Sequence, residues 1–240
     1  VEEFKKITEK IIENALIPFL PLYVFGIFIN MSFTGEAFQV ISVFGKVIVF
    51  ILALSVVLLL IQFIAAGVTA KADPLKMLLT MLPAYFTALG TSSSAATIPV
   101  TLEQTKKMGV AEDIADFCVP LCATIHMAGS TMKITGMALA ILALQGQVPS
   151  FSVIAGFICM LGITMVAAPA VPGGAVMAAL GVLKSALGFT PENLALMIAV
   201  YVAIDSFGTA CNVTGDGAIS VMVNRIAGNK LTPVSENSGE

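Results

Sequence analysis

Two carboxylates lie in a segment that is otherwise apolar enough to cross a bilayer. Residues 193–224 carry only two charged side chains, Asp205 and Asp216. Thr209, Asn212 and Asp216 follow Asp205 by 4, 7 and 11 positions, which places all four residues on one face of a helix. This stripe of oxygen atoms suits an alkali cation, or the ammonium and carboxylate groups of a small solute. The other interpretation is a polar interface within a helical bundle, for which two acids are not needed.

A second polar set interrupts the apolar segment 117–144. His126, Ser130 and Lys133 are spaced by 4 and 3 positions, again on one face if the helix is continuous. A lysine at membrane depth needs a partner, and the acids at comparable depth are Asp205 and Asp216. We therefore consider Lys133 a possible charge switch, either a permanent counter-ion, a proton-dependent group or a mimic of a cation. The alternative is a snorkelling or structurally paired lysine beside a hydrogen-bonded core histidine.

Two further apolar segments are interrupted in their middle. Residues 77–107 contain TSSSAATIP, a cluster of hydroxyl groups followed by Pro99, and residues 151–184 contain AAPAVPGG at 167–174. Non-helical backbone at membrane depth occurs where it is buried in protein or lines a cavity, so each segment predicts a re-entrant hairpin. A plain turn at the serines and a simple helix kink at the glycines are the alternatives.

Composition defines the class of protein. Hydrophobic residues make up 58% of the 240 residues and charged residues 11%, with no tryptophan. These values predict an all-α integral membrane protein in contact with the lipid bilayer. The net charge of −3 excludes nucleic acid as a partner, because neutralising phosphates requires many Lys and Arg residues.

The order of the segments predicts the domain organisation. Spans and hairpins alternate from residue 47 onward, as in transporters built from inverted repeats. If both hairpins return to the side from which they enter, nine of the twelve positive residues share one side, as the positive-inside rule expects. The predicted parts are an amphipathic surface helix at 1–13, a scaffold-like span at 14–46, a transport domain at 47–228 and a tail at 229–240. Within the transport domain we expect spans at 47–70, 117–144 and 193–224, and hairpins at 77–107 and 151–184. The first residue is Val1 rather than Met, so we expect a fragment or a processed product.

Four motifs carry a resemblance to a known family. SSSAATIPVT, ATIHMAGSTMKIT, AVPGG and DSFGTACNVTGD resemble, in that order, the C-terminal half of the dicarboxylate/amino acid:cation symporters, the relatives of the glutamate transporters. The resemblance implies an elevator-type transporter, in which a transport domain with two re-entrant hairpins moves against a fixed scaffold. It also implies a homotrimer in a cell membrane, plasma or inner, crossed several times, and a prokaryotic source.

The resemblance also assigns roles to residues. Asp205 would bind the amino group of the substrate and Asn212 its carboxylate, within a substrate-binding set of Ser94, Ser130, Val171, Gly173, Asp205, Thr209 and Asn212. Sodium would be held by Asn212 and Asp216, with backbone around Thr124 and Met127 and the side chain of His126. The implied coupling ion is therefore Na⁺, with a proton as the alternative.

Two departures from the family pattern are informative. Where members with acidic substrates have Arg, this chain has Gly208, so an acidic substrate would lose its bidentate partner. Ala128 replaces an Asp that would otherwise ligate sodium, and Lys133 is a candidate to stand in for that cation. The motifs are closest to the serine/threonine:sodium symporter branch.

These observations predict secondary active symport of a small neutral amino acid such as serine or threonine, coupled to a cation. An aspartyl-protease dyad is disfavoured, because Asp205 and Asp216 are about 16 Å apart along a helix. The alternatives are a symporter of dicarboxylates or other organic anions, a truncated paralogue that binds without transporting, and a channel.

Overall fold

The computed structural model describes residues 37–228 and isolated positions outside that range. Those positions are Lys10, Phe19, Leu22, Phe25, Gly26, Ile29, Ser32, Phe33 and Leu231, and side chains are described from Ser42 onward. The predicted surface helix at 1–13, most of the predicted span at 14–46 and the tail at 229–240 therefore lie largely outside the described residues.

The described chain is all-helical, as the composition predicts. Its helices, in order, are α1 (Ala37–Ala70), α2 (Pro74–Thr80), α3 (Leu82–Thr91), α4 (Ser94–Lys107), α5 (Glu112–Ile125), α6 (Ala128–Leu144), α7 (Phe151–Val166), α8 (Gly174–Leu187), α9 (Pro191–Ala203) and α10 (Asp205–Ile226).

Among the residues that the structure describes, two stretches are long and apolar enough to cross a bilayer: Ser42–Ala70 in α1, and Glu112–Leu144, which joins α5 and α6. The pair formed by α9 and α10 is a third candidate, broken at Ile204. Helix α1 passes through Lys46 without interruption, so the predicted boundary between residues 46 and 47 falls inside one helix.

Each predicted hairpin corresponds to a pair of packed helices. Helix α3 packs against α4, and α7 packs against α8. The break in the first pair lies at Ser92, which adopts a left-handed conformation (φ 50°), and at Ser93, whose side chain caps α4 by accepting from the Ala96 N–H. Pro99, expected to contribute to the break, lies instead within α4. The second pair turns through residues 167–173. The re-entrant position of both pairs in a bilayer stays a prediction.

Each of the predicted spans 117–144 and 193–224 consists of two helices in the structure. His126 ends α5 in an extended conformation (φ −92°, ψ 90°), so it does not share a helix face with Ser130 and Lys133 on α6. Ile204 separates α9 from α10. The four stripe residues all lie on α10, with Asp205 as its first residue.

The chain divides into two compact units. Unit one comprises the described residues of Val1–Ala53 and Ser130–Asp205, and unit two those of Leu54–Gly129 and Ser206–Glu240. Unit one therefore contains the pair α7 and α8, and unit two the pair α3 and α4. The core of unit two is a cluster around Phe63, Met81 and Val213, each 1% exposed or less. Each unit positions one of the two buried aspartates.

Candidate functional site

In unit one, a buried lysine contacts the first aspartate. Lys133 on α6 has no exposed surface, and its Nζ donates a hydrogen bond to Asp205 Oδ1 over 3.0 Å. The same Nζ lies 3.3 Å from the backbone carbonyl oxygens of Ile204 and Asp205. It also lies 3.6 Å from the centre of the Tyr201 ring, a cation–π contact. The ammonium is thus surrounded by negative and electron-rich groups.

The second oxygen of Asp205 accepts a hydrogen bond from the turn between α7 and α8, residues 167–173, which we call the tip. The Gly173 N–H donates to Asp205 Oδ2 over 2.6 Å. Gly173 has a φ of +73°, a left-handed conformation that glycine adopts without the steric cost of a Cβ. Because Lys133 takes Oδ1 and Gly173 takes Oδ2, one carboxylate joins α6, α10 and the tip. A shared, hydrogen-bonded carboxylate is the arrangement that compensates the desolvation of a buried ion pair.

In unit two, the second aspartate contacts a histidine. His126 Nδ1 lies 2.8 Å from Asp216 Oδ1, and His126 Nε2 lies 3.0 Å from Gln62 Nε2. In the neutral imidazole, Nε2 accepts from the Gln62 amide and Nδ1–H donates to the carboxylate. Gln62 Oε1 is buried without a hydrogen-bond partner among the described residues. The unpaired Gln62 oxygen and the buried Asp216 carboxylate, which is 1% exposed, are reached from different nitrogens of the imidazole, and each is a ligand of the type that hard cations prefer.

Close backbone approach holds this second site together. The Gly129 N–H donates to Asn212 Oδ1 over 2.8 Å. A Cβ on Gly129 would lie 2.7 Å from Cys211 Cβ, and a Cβ on Gly215 would lie 2.6 Å from both Gln62 Oε1 and His126 Cε1. Glycine at both positions therefore lets α10 approach the chain around His126.

The other predicted residues are divided between the units. Of the expected substrate-binding set, Ser130, Val171, Gly173 and Asp205 belong to unit one, and Ser94, Thr209 and Asn212 to unit two. Ser94, Ser130, Thr209 and Asn212 are buried. The expected sodium residues all belong to unit two, where Met127 is buried and the Thr124 hydroxyl donates to the Leu121 carbonyl over 2.8 Å. The roles of these residues in binding substrate or sodium stay predictions.

Two residues of these sites were not identified from the sequence. Gln62 is the one amide side chain in the apolar segment 47–70, and Tyr201 is the one tyrosine in the segment 193–224. A lone amide in an apolar span is a signal that sequence reasoning can use, because an amide at membrane depth needs partners. Nothing in the sequence places Tyr201 against Lys133.

Comparison with known proteins agrees with the resemblance inferred from the motifs. The model of the sodium:dicarboxylate symporter family matches residues 1–226. An uncharacterized symporter of Haemophilus influenzae is 31% identical over 232 residues, which are 94% of this chain and 51% of the relative. The serine/threonine transporter SstT of Acinetobacter baumannii is 28% identical over 217 residues, 88% of this chain and 54% of the relative.

Excitatory amino acid transporter 2 of Homo sapiens is 29% identical over 168 residues, covering 70% of this chain and 29% of the relative. The chain thus spans between about a third and a half of the length of these relatives. The relatives' names are those of symporters and amino acid transporters, and the family model covers nearly the whole chain. The chain belongs to the sodium:dicarboxylate symporter family.

Proposed function

We propose that the chain contributes the transport domain of a symporter that moves a small neutral amino acid, such as serine or threonine, together with Na⁺ across a prokaryotic cell membrane. The two helix pairs would be re-entrant hairpins, the α7–α8 tip would act as the gate, and three copies would assemble, each moving like an elevator. A relative of similar sequence is a serine/threonine transporter.

The observation that carries this proposal is the charge balance of the buried residues. Among the buried residues that the structure describes, Lys133 is the one cationic side chain of the Lys or Arg type, and Asp205 matches its charge. At the position of Gly208 on α10, family members with acidic substrates are expected to have an Arg that pairs with the second carboxylate of the substrate. Beside the neutral Lys133–Asp205 pair, an acidic amino acid would therefore bring one unmatched negative charge and a dicarboxylate without an amino group would bring two, at a cost of several kcal/mol. A zwitterionic amino acid with one amino group and one carboxylate avoids that cost.

Unit two supports sodium as the coupling ion. Asp216, Asn212 and Gln62 supply oxygen atoms in a buried setting, the ligand type that hard cations require. The contact between His126 and Asp216 supports the proton as the alternative coupling ion, because imidazole is the side chain that changes charge near neutral pH.

A second candidate function is symport of an organic acid that lacks an amino group. It is favoured by the Lys133–Asp205 pair, since the carboxylate expected to receive the substrate's amino group already accepts from Lys133 and Gly173. A paralogue that binds substrate without transporting it is the third candidate.

Uptake into proteoliposomes tests the proposal. We expect saturable uptake of labelled serine or threonine driven by an inward sodium gradient, lost when choline replaces sodium, and not inhibited by aspartate or succinate. Gly208→Arg should introduce inhibition by aspartate, because its guanidinium would pair with the second carboxylate. Gly208→Met is the matched control, with comparable length and no charge.

Three results would redirect the proposal. Sodium-dependent uptake of succinate or of a monocarboxylate without an amino group, with no serine uptake, would favour the organic-acid symporter. Serine uptake driven by a pH gradient without sodium would assign the coupling to protons. Sodium-dependent binding of serine without any uptake would favour the non-transporting paralogue.

A further inference from the structure

The surroundings of the Lys133 ammonium have the composition of a cation-binding site. They comprise the Asp205 carboxylate at 3.0 Å, two backbone carbonyl oxygens at 3.3 Å and the face of the Tyr201 ring at 3.6 Å. Carboxylates and the carbonyls of interrupted helices are the groups that coordinate mobile cations in membrane transporters, and aromatic faces stabilise organic cations. In this protein these groups surround the ammonium of Lys133.

The break between α9 and α10 supplies these oxygens. The last carbonyls of a helix have no intrahelical donor and carry the negative end of the helix dipole. Helix α9 ends at Ala203, and the next carbonyl, that of Ile204, faces the ammonium. Together with the Asp205 carboxylate, which is 6% exposed as a residue, these oxygens concentrate negative charge in a buried place. Such a place requires a cation.

We propose that Lys133 is a built-in cation that permanently fills a cation-binding site at Asp205 in place of a mobile Na⁺. This goes beyond the proposed function by setting how many mobile cations the protein must bind. With Lys133 at Asp205, the amino group of an amino acid substrate would need another partner, whereas the second candidate, an organic acid without an amino group, would not. The lysine stem from α6 delivers the ammonium, so the site is filled in every state in which α6, α9 and the start of α10 keep their contacts.

The consequence concerns the tip of the α7–α8 pair. The carboxylate that Lys133 neutralises is the one that accepts from the Gly173 N–H. With a tethered cation, Asp205 stays charged and compensated at any sodium concentration, and the tip keeps its acceptor without a mobile ion. A mobile cation is then needed only elsewhere, as at Asp216 in unit two.

Lys133→Met should turn the filled site into one that binds sodium. We would follow the thermal unfolding midpoint of the purified chain in detergent over a hundredfold range of NaCl, with choline chloride keeping the ionic strength constant. An ion that binds only the folded state raises the midpoint by about 3–5 °C for each tenfold increase above its Kd. We expect Lys133→Met to show such a response in addition to any that the wild type shows.

Two matched variants locate the response. Lys133→Met combined with Asp205→Asn should lose the added response, because the carboxylate is gone. Lys184→Met removes an exposed lysine from α8 of the same unit and should behave as the wild type. The proposal is overturned if Lys133→Met responds to sodium as the wild type does, or if the added response survives in the double variant. It is equally overturned if Lys133→Met is unfolded at every sodium concentration while the double variant folds.

Equilibrium binding of ²²Na⁺ gives a test that does not depend on the folding of Lys133→Met. The wild type and Asp205→Asn should bind the same number of sodium ions, because Lys133 already occupies the site. Fewer ions bound per folded molecule of Asp205→Asn, with the folded fraction measured in the same sample, would contradict the proposal. Neither measurement includes an organic substrate, so failure of serine transport and failure of this inference are separate results.

Discussion

Each of the two units buries one carboxylate, Asp205 or Asp216, and the two carboxylates have different partners. In unit one, Asp205 accepts from the Lys133 ammonium, which has no exposed surface. In unit two, Asp216 contacts His126 Nδ1 over 2.8 Å, and Gln62 contacts the other ring nitrogen. The first aspartate is paired with a lysine of the chain, and the second with a histidine.

Because their partners differ, we expect the two aspartates to have different roles. The Lys133–Asp205 ion pair links α6 to the tip. Removing one partner of such a pair is strongly destabilising, because the other charge stays buried without compensation. When the partner of a buried carboxylate is neutral, the charged form of the carboxylate gains less stabilisation from the protein and more from a bound mobile cation. We therefore expect the Lys133–Asp205 pair to act mainly on stability and on the tip, and the Asp216 site to be the one that binds a mobile ion.

The largest expected effect compares the two aspartates directly. Asp205→Asn leaves the buried Lys133 charge without its anion and should lower stability by about 3–5 kcal/mol. Asp216→Asn keeps an acceptor for His126 and should cost about 1–2 kcal/mol. Thermal unfolding in detergent at fixed sodium measures both. Equal losses would break the comparison, because they would show that His126 acts as a fixed cation as Lys133 does.

A second test disturbs only the unit-two site. Gly215→Ala introduces a Cβ 2.6 Å from His126 Cε1 and from Gln62 Oε1, so the imidazole and the amide must move, which disturbs the contact between His126 and Asp216. We expect a loss of about 1–3 kcal/mol and weaker binding of ²²Na⁺. Gly90→Ala is the matched control, on α3 of the same unit, where an added Cβ meets nothing within 4 Å. The control should be neutral or stabilise by up to about 1 kcal/mol. Unchanged sodium binding in Gly215→Ala would contradict the assignment of this site to cations.

The smallest expected change in stability sharpens the role of the tip. Gly173 and Gly188 both have positive φ, +73° and +66°, so alanine at either position should cost about 1–2 kcal/mol through backbone strain. Of these two glycines, Gly173 is the one whose N–H donates to Asp205, whereas the Gly188 N–H donates to the Lys184 carbonyl. Unfolding should therefore report similar losses for Gly173→Ala and Gly188→Ala, while serine uptake falls only in Gly173→Ala. A similar fall in uptake for both variants would show that the tip responds to strain in general and not to the link with Asp205.

The sequence determined the class of the protein and the residues that matter. Hydrophobic composition requires a helical membrane protein, because backbone groups in lipid must be satisfied within helices. The interrupted segments marked where helices end, at the serines and at the glycine-rich stretch, since hydroxyl caps and left-handed glycine act locally. The unlikelihood of burying charge singled out Lys133, Asp205 and Asp216 without any structure.

Only the tertiary structure decided the partners. The sequence offered Lys133 two aspartates, and contact with Asp205 depends on how α6 meets the break after α9, a long-range packing relation. The same holds for His126, which the assumption of a continuous helix placed beside Lys133 and which the extended turn at the end of α5 directs to Asp216. Local rules fix where a helix begins and ends, but the pairing of buried charges is set by which elements come together in space.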